Sequence, residues 1–405
     1  MQTALERIWK SIGMVQTRPA APRYAVRTLF FINGALFATW ASRIPAIQAE
    51  RGLSNTALGF ALLAMALGAV IAMPASGFLL ARFGSAKLCK TLAIVFCGLL
   101  PLLTIVPNQP LFVLCLFFFG AAHGALDVSM NARAVAVEKQ SATPIMSSFH
   151  AFWSIGGLAG ASLGSLVAAQ ELTPSEHFNI VALLLGLVTF TIFGDLNGSD
   201  EPAQANSARP AIFCWPNRAT LALGLLALCV MIGEGAMADW SGIYLRSGVG
   251  ASPSWAAAGY AFFSLAMAAG RLGGDALNLR FGPVKLARMG GVLAAGGLAM
   301  AIITQEIVLS LIGFVCVGAG FATVVPMVFS AAGKGHGPHA GIAVASVSTL
   351  GYLGFLLGPP SIGFAADLVG LRAALLIIVV TSAAIIPLAI ALKHEAGRKT
   401  EAEGD

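Results

Sequence analysis

The residues of this chain that could do chemistry are the few ionisable side chains set inside long apolar runs. His123, Asp127 and Asn131 stand four residues apart in the run 111–132. On a helix that spacing puts all three on one face. His150 and Trp153 share a face of the run 146–169. Glu234 and Asp239 sit in Gly233-Glu234-Gly235-Ala236-Met237-Ala238-Asp239-Trp240, within the run 222–245. Ionisable groups in a hydrocarbon setting are rare and costly, and they mark proton or solute paths. A carboxylate whose surroundings alternate between a cation and an apolar wall can take up and release a proton. Asp127, Glu234 and His123 are therefore the candidates for proton coupling. A structural clasp between Asp127 and His150 is the competing reading of that pair.

A polar solute needs hydrogen-bond partners and flat apolar faces. Asn33, Asn131, His150 and the indoles of Trp40, Trp153 and Trp240 supply candidates for the walls of a cavity. Trp at helix ends also anchors helices at membrane interfaces, so Trp40 and Trp240 carry both readings. Arg43 falls at the depth of Asp239, and a salt bridge from it to Asp239 or Glu234 would join two parts of the chain and break on opening. Snorkelling of both charges to the interface is the alternative. No Ser or Cys stands beside His123 and Asp127 in a way that suggests a nucleophile, so an enzyme is not expected. The six cysteines are scattered without a CxxC pair, and His336 and His339 sit in a Gly/Pro loop. Neither a metal nor a cofactor is expected, and no phosphate-binding loop is present.

The elements that must position these residues follow from composition. Of 405 residues, 57% are hydrophobic and only 10% charged, against roughly 25% charged in soluble domains. That excludes a soluble enzyme, a disordered chain and a disulfide scaffold. Twelve apolar segments are long enough to cross a bilayer as helices: 28–48, 57–80, 88–106, 111–132, 146–169, 178–195, 222–245, 255–279, 286–304, 307–332, 341–365 and 370–392. The expected fold is an all-α membrane protein of twelve transmembrane helices in two six-helix bundles. Of the 24 Lys and Arg residues, only Arg51, Arg246 and Arg372 fall in loops on one side; Arg43 and Arg271 fall within spans, and the rest lie on the other side. This places both termini in the cytoplasm and makes nucleic acid an unneeded explanation of the net charge of +6. The division is a tail at 1–27, a bundle at 28–195, a polar linker at 196–218, a bundle at 219–392 and a tail at 393–405. The tail at 1–27 is too polar for a secretory signal.

The two halves repeat. Arg82-Phe83-Gly84-Ser85-Ala86-Lys87-Leu88 returns 198 residues later as Arg280-Phe281-Gly282-Pro283-Val284-Lys285-Leu286. At the same offset, Gly120-Ala121 matches Gly318-Ala319, and Gly156 and Gly160 match Gly354 and Gly358. A parallel repeat of this kind places a cavity between the halves near mid-membrane. The loop resembles the signature of the major facilitator superfamily, with Gly77, Arg82 and Gly84 in place, and Arg280 and Gly282 in the second copy. Ala81 and Leu279 stand where that signature carries Asp. Arg271 and Asp275, four apart on one helix, are the candidate replacement for the missing relay, or a local ion pair.

Trp40 through Ile47, Glu234 through Trp240 and Gly351 through Pro360 resemble the bacterial YbjJ-like permeases, a branch similar to the fucose permeases. The resemblance implies a bacterial inner-membrane transporter with helices one, four, seven and ten lining its path. It also implies an acidic proton-symport residue in helix four, where Asp127 stands in place of that branch's Glu. The combined expectation is alternating-access transport of a small polar organic solute, sugar-like among the options, coupled to protons and carried out by a monomer. A proton-independent facilitator or exporter of the same fold remains the alternative, with a membrane-embedded enzyme the remote one.

Overall fold

The computed structural model describes residues 20–138, 140, 145–196, 218–334 and 340–393. Most of the expected linker, both tails beyond these limits, His336 and His339 lie outside the described residues. Among the described residues the chain is helical, with no strand. The first nine spans are α1 (Ala20–Arg51), α2 (Asn55–Phe83), α3 (Ser85–Ile105), α4 (Gln109–Glu138), α5 (Met146–Ala169), α6 (Pro174–Thr191), α7 (Arg218–Ile243), α8 (Pro253–Phe281) and α9 (Pro283–Thr304). The tenth is broken into α10 (Ile307–Phe321) and α11 (Val324–Lys334), the eleventh is α12 (Ala340–Val369), and the twelfth is α13 (Leu371–Ala374) with α14 (Leu376–Leu388). The tenth breaks just before Pro326, which has no N–H for the carbonyl of Ala322. Every expected span is thus helical.

Helix starts are fixed locally. Ser54, Thr173 and Ser252 precede α2, α6 and α8, and each side-chain oxygen accepts from a backbone N–H in the first turn. Pro174 and Pro253 stand next to two of these caps, where a proline loses no hydrogen bond. At α6 the box is reciprocal: the Glu176 carboxylate accepts from the Thr173 N–H and hydroxyl, both at 2.9 Å. Those bonds, the backbone one first, hold Glu176 below the usual carboxylate range. Their stabilisation is present at neutral pH and is lost as acid protonates the carboxylate.

The repeated loop motif folds the same way twice. Gly84 and Gly282 adopt φ of 76° and 73°, and each donates its N–H at 2.9 Å to the carbonyl four residues back, Leu80 and Asn278. Only glycine takes this backbone without strain. Arg82 and Lys87 both lie over the Phe83 ring, at 5.4 and 5.3 Å, and Arg280 and Lys285 over Phe281, at 5.4 and 5.5 Å. The motif is therefore a tight turn whose phenyl ring gathers two cations.

Glycines set the close helix crossings. A Cβ at Gly120 would collide with the Met65 carbonyl, joining α4 to α2; one at Gly318 would collide with the Phe263 carbonyl, joining α10 to α8. The two contacts are related by the same 198-residue offset. Gly34, Gly156 and Gly160 bring α1 and α5 together in the same manner. Small residues take this role in lipid because burial against acyl chains gives no hydrophobic gain, so close van der Waals contact must hold the helices. The remaining sides present leucine, isoleucine and phenylalanine outward, among them Leu183, Leu187 and Phe190 on α6.

Between the bundles, contact gathers at the face that carries Arg51. Ser165 of α5 donates to the Ser254 carbonyl of α8 at 2.9 Å. A Cβ at Gly242 of α7 would come within 2.9 Å of the Pro45 side chain in α1, and one at Gly59 of α2 within 2.8 Å of the Pro359 carbonyl in α12.

These packing contacts separate two glycines that sequence treats alike. Gly120→Val is expected to lower stability by about 1–3 kcal/mol through overpacking. Gly77→Ala, with nothing within 4 Å of an added Cβ, is expected to be neutral or slightly stabilising. Thermal unfolding of the detergent-purified variants compares them; equal losses would refute the packing assignment.

Candidate substrate cavity

A cavity of about 310 Å³ lies between the bundles. Asp127, His150 and Trp153 reach it from the first half, and Glu234, Asp239 and Arg271 from the second. Its walls come from spans one, two, four, five, seven, eight and eleven. None of the lining residues described belongs to span ten, contrary to the expectation drawn from the resemblance. Span ten instead packs behind α8 and α9 through Gly318, Gly320 and Gly313.

On the first-half side, the Asp127 carboxylate accepts from Asn131 Nδ2 at 3.3 Å, while the same nitrogen donates to the Asp127 carbonyl at 2.8 Å. Asn131 is a neighbour holding Asp127 rather than a wall residue. No cation pairs with Asp127 among the described residues. His123 lines the cavity with its ring stacked on Phe37, centroids 5.2 Å apart, and its Nδ1 is buried without a partner. His150 is exposed toward the cavity and meets Phe30 edge-on at 5.2 Å. It makes no hydrogen bond with Asp127, so the clasp expected between α4 and α5 is not formed. Asn33 is fully buried and does not reach the cavity. Its Oδ1 accepts from Trp153 Nε1 at 2.9 Å, which fixes the indole as a wall.

On the second-half side, Arg271 Nη2 lies 3.5 Å from Glu234 Oε1, joining α8 to α7. The side chain of Asp275 lies outside the described residues; the partner observed for Arg271 is Glu234. Asp239 lines the cavity with no hydrogen-bond or ion-pair partner among the described residues. The gate expected between Arg43 and Asp239 is absent. Arg43 instead donates to the Leu172 carbonyl at 2.6 Å, inside its own bundle. The other arginines of that face behave alike: Arg51 donates to the carbonyls of Leu103 and Val106, Arg246 to Ala251 and Arg372 to Ile302. Unpaired carbonyls at helix ends and in the adjoining turns are ready acceptors, and they take these cations before any distant carboxylate can.

Trp40 and Trp240 are 1% and 0% exposed and lie inside their bundles, not on the cavity. Trp40 packs against Phe112 and Phe119. With that burial, neither indole serves as an interfacial anchor. Sequence reading also passed over Tyr260 and Tyr352, which line the cavity from α8 and α12. Their signal was scarcity: the chain has four tyrosines, and these two lie within apolar spans.

Among the described residues, membrane-length helices in two related bundles around a cavity that receives charged side chains from both halves have the architecture of a membrane transporter. The Major Facilitator Superfamily sequence model matches residues 28–359, and the chain belongs to that family. It is 38% identical to an MFS-type transporter of Yersinia pestis over 86% of this chain and 90% of that one. It is 35% identical to the transporter y4wD of Sinorhizobium fredii over 93% of this chain and all of that one. The fold is similar to that of the nucleoside transporter NupG, with a TM-score of 0.70 and 15% identity, covering 93% of this chain and 99% of that one. It is also similar to the Escherichia coli fucose:proton symporter FucP, with a TM-score of 0.60 and 19% identity, covering 93% and 99%.

The Arg271–Glu234 pair has a consequence for stability. Its side chains are 25% and 18% exposed, so removing one partner strands the other in a poorly solvated wall. Arg271→Gln and Glu234→Gln are each expected to lower the melting temperature, and the double variant to lose less than the two together. Additive losses in that double-mutant cycle would show that the two side chains do not interact.

Proposed function

We propose that this member of the Major Facilitator Superfamily moves a small polar organic solute by alternating access, coupled to protons through Asp127 and Glu234. The observation that carries the reading is that these two carboxylates, one from each bundle, line the same cavity from its two sides. Their surroundings differ in a useful way. Glu234 already has a cation, whereas Asp127 has only an amide, so a proton or a substrate hydroxyl is the partner Asp127 lacks. Asp239 offers a third carboxylate, and His123 and His150 offer imidazoles within the same walls. A pyranose-sized solute suits the cavity's volume, and the indole of Trp153, held by Asn33, gives it a flat face to stack on. The fucose:proton symporter among the similar folds supports proton coupling as a reading, and the nucleoside transporter supports a polar solute with a flat face.

The same reading puts the protein in a bacterial inner membrane as a monomer, with both termini and the 196–218 linker in the cytoplasm and the two bundles at 28–195 and 219–392. The bacterial relatives and the distribution of Lys and Arg support it. On that orientation the Arg51 face is periplasmic and closed. A second reading, a proton-independent facilitator or exporter, is favoured by one observation: Glu234 is neutralised by Arg271 and could stay so throughout the cycle.

Solutes that raise the melting temperature identify the ligand, since binding to the folded state stabilises it. In proteoliposomes supplied with that solute from outside, a pH gradient is expected to drive accumulation by the wild type. Asp127→Asn is expected to abolish gradient-driven accumulation while keeping downhill exchange, and Glu234→Gln to weaken it about tenfold or more. Normal gradient dependence in both variants would overturn the coupling assignment and favour the facilitator.

A further inference from the structure

The closed face holds one feature that neither the cavity nor the repeat explains. Helix α2 begins at Asn55, and the first N–H groups of a helix have no partner within it. At α2 the N–H of Ala57 is taken by Ser54 Oγ, at 3.1 Å. The two before it are taken by a residue more than 300 positions away. Asp367, near the end of α12, accepts from the Thr56 N–H through Oδ2 at 2.8 Å and from the Asn55 N–H through Oδ1 at 3.2 Å. One carboxylate of the second bundle thus caps the helix of the first.

The surroundings are built for this approach. Thr56 Oγ1 donates to the Gly363 carbonyl at 3.4 Å, one turn from Asp367. A Cβ at Gly363 would collide with the Asn55 carbonyl, and one at Gly59 would press on Pro359 and Pro360. The glycines let α2 and α12 touch along their backbones, and Asp367 then reaches past the first turn. A carboxylate at a helix N-terminus meets both free donors and the positive end of the helix dipole. When the bundles part at this face, the two N–H groups lose the carboxylate and have only water as partner, while Asp367 is already exposed to solvent. The bond therefore belongs to one conformation.

We propose that Asp367 is a latch between the bundles, capping the N-terminus of α2 and selectively stabilising the conformation closed at the Arg51 face. It takes the role that sequence assigned to Arg43 and Asp239, with a helix terminus in place of the arginine. The inference rests on family membership and alternating access, and is independent of proton coupling and of the substrate.

The test follows the separation of the bundles at this face. Spin labels at Gln109→Cys and Glu306→Cys, one in each half, report it by pulsed electron resonance, with the label signal of the six native cysteines measured separately in their absence. Asp367→Ala is expected to move the population from the short to the long distance about three- to tenfold, and Asp367→Asn, whose amide oxygen keeps one acceptor, by less. Asn55→Pro removes one donor while leaving a proline at the first helical position, where it is well tolerated. Ser54, with φ of −63° and ψ of 164°, is compatible with a following proline. This variant is expected to shift the population in the same direction by less, and to add nothing in the Asp367→Ala background. Unchanged distances in folded Asp367→Ala, or in Asn55→Pro, would overturn the latch, as would an Asn55→Pro effect equally large without Asp367. Because Asn55→Pro keeps the helix start and leaves Asp367 in place, it decides the matter if Asp367→Ala does not fold.

Discussion

The structure depends on one constraint: inside a bilayer, a polar group without an internal partner costs several kcal/mol. Backbone groups meet it by forming helices. Charged side chains meet it in three ways here, and the three define the regions of the molecule. Arg43, Arg51, Arg246 and Arg372 cap carbonyls near helix ends and knit the closed face within each bundle. Arg271 and Glu234 meet each other. Asp127 and Asp239 meet neither cation nor helix end, and they stand only where a wet cavity can solvate them. The cavity is thus required by the carboxylates as much as it is lined by them.

The same constraint explains why the bundles are held internally by glycine crossings, while the seam between them adds polar contacts to its own glycine approaches. Within a bundle, the Gly120 and Gly318 crossings bring backbones together so closely that sliding is blocked, and each half can move as a unit. Between bundles, the seam at the Arg51 face uses hydrogen bonds to groups that water can also satisfy: the Ser254 carbonyl and the first N–H groups of α2. Contacts that water can replace are cheap to break. A transporter needs that asymmetry, because a seam as dry as the glycine crossings would fix one conformation.

The fold was legible from sequence because its causes are local. Continuous apolar runs give the spans, the Ser/Thr–Pro caps and the Gly84 and Gly282 turns mark their ends, and the 198-residue offset relates the halves. The membership of Asp127, His123, His150, Trp153, Glu234 and Arg271 in a common cavity was also within reach, since intramembrane charge has few other places to go. What escaped was the choice of partner. Arg43 and Asp239 agree in depth and carry opposite charges, yet depth along the membrane says nothing of the nearest carbonyl, and Leu172 lies closer. Trp40 and Trp240 look like cavity or interface residues because Trp serves both, while their burial depends on which face of α1 and α7 turns inward. Asp367 could not be found at all by pattern, since it sits near the polar end of a span, where a carboxylate passes as ordinary.

The repeat also shows where symmetry stops mattering. The loop turns, the cation–phenyl contacts and the α2–α4 and α8–α10 crossings are copied between the halves with nearly equal geometry. The charged residues are not: Asp127 lies 198 positions before Val325, and Glu234 lies 198 positions after Leu36. A symmetric pair of bundles supplies two conformations of similar energy, and that near-degeneracy is what lets small forces choose between them. Binding and coupling need a directional difference, which symmetric walls could not provide. The asymmetry sits in the side chains facing the cavity and the closed seam, and in span ten, which breaks before Pro326 where its counterpart α4 runs unbroken.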